Sequence, residues 1–87
     1  MKIYKYTLDK NKIGIIQTVK IPRNGMLVHV DFFNNEICMW YCITDGDEVI
    51  SQPFIINYTG DELPVDSDYL GTAIDHAGKI VYHLSAI

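Results

Sequence analysis

The sequence predicts an all-β domain, a small antiparallel β-sandwich or partly open barrel of six to seven strands. Two observations predict it. Short runs rich in Val, Ile, Phe, Tyr and Thr recur along the chain, parted by turn residues such as Asn34-Asn35, Asp45-Gly46-Asp47 and Ala77-Gly78. No stretch of about ten residues carries apolar positions at the 3.6-residue period of a helix. One short helical turn near 61–64 is the most helix the pattern admits. Residues 1–87 read as a single domain.

The elements follow in order. Lys2 to Leu8 alternates as a strand, and Asp9 to Lys12 makes a polar turn. Ile15 to Ile21 is a second strand, stopped at Pro22, which has no backbone donor, and turned by Arg23-Asn24-Gly25. Glu48 to Thr59 reads as a long strand interrupted at Pro53, and a proline there implies an edge or a bulge. Thr59 to Asp68 is the one extended connection. Tyr69 to His76 and Lys79 to Ala86 close the chain as a hairpin over Ala77-Gly78, with Thr72 facing His83.

The organising piece is the hairpin Met26 to Thr44. Asn tolerates positive φ better than most residues, and two-residue hairpin turns need it, so the loop is expected at Asn34-Asn35. The register then pairs Asp31 with Cys38, Val30 with Met39, His29 with Trp40, Val28 with Tyr41 and Leu27 with Cys42. Alternation puts Met26, Val28, Val30, Phe32, Ile37, Met39, Tyr41 and Ile43 on one apolar face, the expected core. A charge at Val28 or Met39 should therefore unfold the domain. The other face mixes His29 and Asp31 with Trp40 and two cysteines. It reads either as a half-covered second layer or as a binding surface.

The net charge is −4, unevenly spread: residues 1–23 hold six bases against Asp9, and only Lys79 offsets ten acids thereafter. That asymmetry suits a basic partner or self-association into a homo-oligomer. The bases are few, and no aromatic-plus-Arg platform accompanies them, which argues against nucleic acid. No apolar run approaches the length of a membrane span, and the opening residues lack a signal-peptide block, so the expected setting is a cytoplasm with reduced thiols.

Catalytic and metal constellations are weak. Cys38 and Cys42 share a strand face about 13 Å apart, too far for a disulfide or a joint metal site. The acid Asp31 opposite Cys38 would raise a thiol beside His29 rather than activate it. Asp45 to Glu48 lacks the spacing of a calcium loop. The sequence thus implies no enzyme, no metal and no cofactor.

Several pieces stand in a telling order: Tyr4-Lys5-Tyr6, Ile21-Pro22 with Gly25, Cys38-Met39-Trp40, Thr59-Gly60, Tyr69-Leu70-Gly71-Thr72 and Val81-Tyr82-His83-Leu84. In these the chain is similar, over nearly its whole length, to a family of small uncharacterised bacteriophage proteins. It departs from that pattern at Asp61, where the family's turn carries His, and at Tyr82, where the family carries Trp. The resemblance implies a phage accessory gene working in the host cytoplasm. One expectation is a binding protein that counteracts host antiviral defence, either by sequestering a small nucleotide-like signalling molecule or by blocking a defence protein. The alternative is a minor virion or assembly component, since a proline-marked edge can pair with other chains. The expected ligand-binding residues are His29, Asp31, Trp40, Thr72 and His83. Whether the closing hairpin reaches the Trp40 face depends on a sheet order that the sequence leaves open.

Overall fold

A computed structural model describes all 87 residues and contains seven strands and no helix. They are β1 (Lys2–Leu8), β2 (Gln17–Pro22), β3 (Met26–Phe33), β4 (Glu36–Ile43), β5 (Val49–Tyr58), β6 (Asp68–Ile74) and β7 (Val81–Ala86). Two antiparallel sheets, ordered β1-β4-β3 and β2-β5-β7-β6, face each other as a small β-sandwich. The stretch expected to hold a helical turn is irregular, with a turn at 65–66 and Asp66 at a φ of 64°.

Hydrophobic alternation builds the core. Ile37, Met39, Tyr41 and Ile43 of β4 point inward and pack with Phe54, Ile56, Tyr82 and Leu84 of the opposite sheet. The two-residue turn is where both asparagines place it, at φ values of 51° and 65° for Asn34 and Asn35. Pairing of Asp31 with Cys38, Val30 with Met39 and His29 with Trp40 follows.

Beyond His29 the register differs from the expected one. A bulge between Leu27 and His29 leaves Val28 outside the ladder and pairs Leu27, not Val28, with Tyr41. A slip of one residue exchanges the faces. Leu27 therefore packs on the core, while Met26 and Val28 are 63% and 55% exposed. The expected core face is right from Val30 to Ile43 and reversed at its start.

Pro53 lies on neither an edge strand nor a bulge, because β5 runs between β2 and β7. Its place is the end of the β7 ladder, whose regular pairing starts at Phe54. Ile87 N donates to Pro53 O at 3.0 Å, and the Gln52 amide donates to Ile87 O at 3.2 Å. The side chain before the proline thus supplies the hydrogen bond that the imide nitrogen cannot.

The sandwich closes along the seam between β3 and β6. A Cβ built on Gly71 would lie 3.1 Å from Val30 Cβ, tighter than an unstrained contact. At the end holding the β2–β3 and β4–β5 turns, polar bonds join them. Arg23 donates to both carboxylate oxygens of Glu48 at 2.9 and 3.3 Å, and Asn24 N donates to Asp47 Oδ2 at 2.8 Å. Lys2 pairs with Asp45 at 3.2 Å. Part of the basic N-terminal stretch is thereby spent on the acidic remainder of the chain.

Four variant proteins test this packing. Met39→Asp should abolish cooperative folding, since Met39 is fully buried, whereas Val28→Asp should change stability by no more than about 0.5 kcal/mol. Gly71→Val should cost about 1–3 kcal/mol by overpacking, a fall in Tm of roughly 4–8 °C per kcal/mol, and Val30→Ala in the same chain should restore part of it. Thermal denaturation followed by circular dichroism reads all four proteins.

Candidate functional site

The five expected ligand-binding residues occupy two places. His29, Asp31 and Trp40 stand on the outer surface of the β1-β4-β3 sheet. Thr72 and His83 are paired across β6 and β7, on the outer surface of the other sheet. The core lies between the two groups, so no single ligand of modest size touches both.

On the first surface, the His29 ring lies 5.6 Å from the Trp40 ring, and His29 Nε2 lies 3.4 Å from Asp31 Oδ2. Phe33 meets Trp40 edge-to-face at 6.1 Å. Across β4, Lys5 faces Trp40 and its ammonium reaches the Phe33 ring at 5.1 Å. That long side chain must pass over Cys38, which explains why an outward-pointing cysteine is fully buried. Burial is the main cause pushing the Cys38 thiol above its ordinary range, and its Sγ bonds to Phe33 O and Glu36 O. Both cysteines are free thiols. Ile3, Met26, Val28 and Phe33 remain exposed around the half-buried Trp40. The surface is aromatic at its centre and apolar at its edges, with a few charges of both signs, and none of the hollows of the molecule is lined by His29, Asp31, Phe33 or Trp40.

The second group is a hydrogen-bonded chain. His83 Nδ1 bonds Tyr69 Oη at 2.8 Å and His83 Nε2 bonds Thr59 Oγ1 at 2.7 Å. Tyr69 Oη also bonds Thr72 Oγ1. The topology accounts for this cluster. β5 and β6 both lie antiparallel to β7, so the 59–67 connection must return past β7 along the outer face. Leu63, Tyr69 and His83 line one small hollow there. Ile55, Asn57 and Ser85 point outward yet are buried, which that returning segment explains. A neutral imidazole has one donor and one acceptor nitrogen, and hydroxyls satisfy either. His83 thus fastens the connection to the sheet.

A third site, composed of other residues, lies at the sandwich end holding the β1–β2 loop, the Asn34-Asn35 turn and the β6–β7 loop. It is an open cleft of about 520 Å³. Its floor is the inner surface of the core, where the Phe32 and Tyr82 rings stack across the two sheets at 5.9 Å. Tyr58 continues the aromatic surface, 6.0 Å from Tyr82. Lys10 Nζ sits 5.3 Å above the Phe32 ring and donates to Asn35 Oδ1 at 2.8 Å. His76 meets the same ring edge-on at 5.3 Å. Asp75 Oδ1 accepts from Lys79 N and Ile80 N at 2.8 and 3.0 Å. Those backbone donors, Ile80 first, hold its carboxyl below the usual range. Sequence spacing does not bring Lys10, Phe32, Tyr58 and His76 together. The available signal was that two polar loops and the Asn34-Asn35 turn, as ends of consecutive antiparallel strands, fall at one end of a sandwich.

No group of three or more His, Cys, Asp or Glu side chains is placed to hold a metal ion. No helix is long and apolar enough to cross a membrane.

No curated protein and no solved structure shows significant similarity to the chain. Residues 1–86 match a family described as a domain of unknown function, DUF7352. The seven strands, both sheets and all three surfaces lie within that match, and the chain belongs to this family.

Proposed function

We propose that this chain is a phage accessory protein that acts by binding rather than by catalysis. In this reading it works in the host cytoplasm and counteracts an antiviral defence by blocking a defence protein. One observation carries it: an exposed phenyl ring and an exposed imidazole–carboxylate pair stand beside a half-buried indole on the outer face of the β1-β4-β3 sheet. Aromatic residues of this kind anchor protein interfaces, because they bury a large rigid area with little entropy loss. That no hollow opens among these residues favours a protein partner over an enclosed small molecule. The matching partner surface would be apolar, with an acid to meet Lys5 and a base to meet Asp31.

The alternative role, a minor virion or assembly component, is favoured by one feature. β1 is an outermost strand of seven residues, with one row of backbone groups unpaired within its sheet.

Infection of hosts bearing different defence systems, with and without the gene, tests the reading. With the gene present, phage should escape at least one system. Trp40→Ala should abolish that escape while Tm moves by no more than a few degrees. A large loss of stability with no separable functional defect would reduce Trp40 to a packing residue. Abundant copies in purified virions would favour the structural role.

A further inference from the structure

We propose that the cleft at the open end of the sandwich is a second, separate binding site, for a phosphorylated, ring-bearing compound of nucleoside-monophosphate size. The inference is independent of any partner on the Trp40 surface, since the two share no residue.

The cleft volume, about 520 Å³, lies within the range of small-molecule sites. Its composition selects the ligand class. The Phe32 and Tyr82 rings are part of the core and are held rigidly by it, so the floor is preformed. Tyr58, at the end of β5, is 44% exposed and offers its ring to a planar group. Bases and nucleobase-like rings stack on such surfaces irrespective of their edges.

The rim selects an anion on one side. An ammonium carries three donors, and Lys10 spends one on Asn35, leaving two. Its position over Phe32 places a positive charge against an apolar floor, where attraction to an anion is stronger than in open water. His76 approaches the same ring from its edge and supplies a further donor. A phosphate above Phe32 is within the compass of both side chains, and its several oxygens can accept from both.

The same rim carries one carboxylate, Asp75. Asp75 Oδ1 is used by two backbone donors, while Oδ2 has no partner within the chain. The carboxylate remains ionised, so it can only accept. A ring that bears an amino or imino N–H meets this need, and a bare phosphate or a simple hydrocarbon does not. Cation, aromatic wall and spare carboxylate oxygen together describe a nucleotide better than any one of its parts.

The test is a titration of the full ¹⁵N-labelled chain with AMP, CMP, GMP and UMP, and separately with inorganic phosphate, read by amide chemical shifts. At least one nucleotide should shift amides of Lys10, Asn35, Tyr58 and His76 and bind about tenfold more tightly than phosphate. Lys10→Gln combined with His76→Ala should weaken that binding by about tenfold or more without unfolding the chain. Tyr58→Ala should weaken nucleotide but not phosphate, and Trp40→Ala should leave both unchanged. Absence of cleft shifts with all four nucleotides at about millimolar concentration would overturn the proposal. So would binding that survives the Lys10/His76 double variant. Equal affinity for phosphate and nucleotide would overturn the ring-binding half and with it the ligand class.

Discussion

The close approach of Val30 to Gly71 is the contact on which the rest of the sandwich depends. Two sheets of three and four strands leave edges that must be covered or kept apart. At the β3–β6 seam they are drawn together, and only a residue without a side chain lets the backbone of β6 come so near Val30. Each strand is irregular beside this contact, β3 between Leu27 and His29 and β6 between Tyr69 and Gly71. A bulge increases local twist and bends its strand, so the paired bulges allow two edges to lean toward each other. The cost is that Val28 and Leu70 leave the ladder, and residues beyond each bulge exchange faces.

That geometry explains what was legible in the sequence. The Asn34-Asn35 turn was readable because positive φ is a local demand that few residues meet. Its register was readable as far as His29, because period-two alternation survives there. The bulge at Val28 was not readable: Met26, Leu27 and Val28 are all apolar, so alternation carries no sign of which one points inward. Pro53 misled for a related reason. A missing donor forbids the middle of a ladder but not its end, and the Gln52 side chain supplies the bond there.

The functional surfaces were legible only in part. Trp40, His29 and Asp31 come together because one hairpin register joins them. Thr72 and His83 pair as expected but belong to the other sheet, and strand order is set by packing between elements rather than by any local signal. His83 is better understood as the fastening of the 59–67 connection, through Thr59 and Tyr69, than as part of a site with Trp40. The end cleft was hidden most fully. Phe32 and Tyr82 look like ordinary core residues, and they are, but at the mouth of the sandwich the core itself becomes the floor of a cavity.

The β3 bulge and the β3–β6 seam divide inward from outward residues on this strand. Nuclear Overhauser contacts of assigned methyl groups test this division directly. The Val30 methyls should show strong contacts to the Gly71 α-protons, and the Val28 methyls should show none to β6 or to the Tyr82 ring. Strong contacts from Val28 to the core, with Val30 contacting only its own sheet, would mean that the face of β3 is reversed and that no bulge divides it.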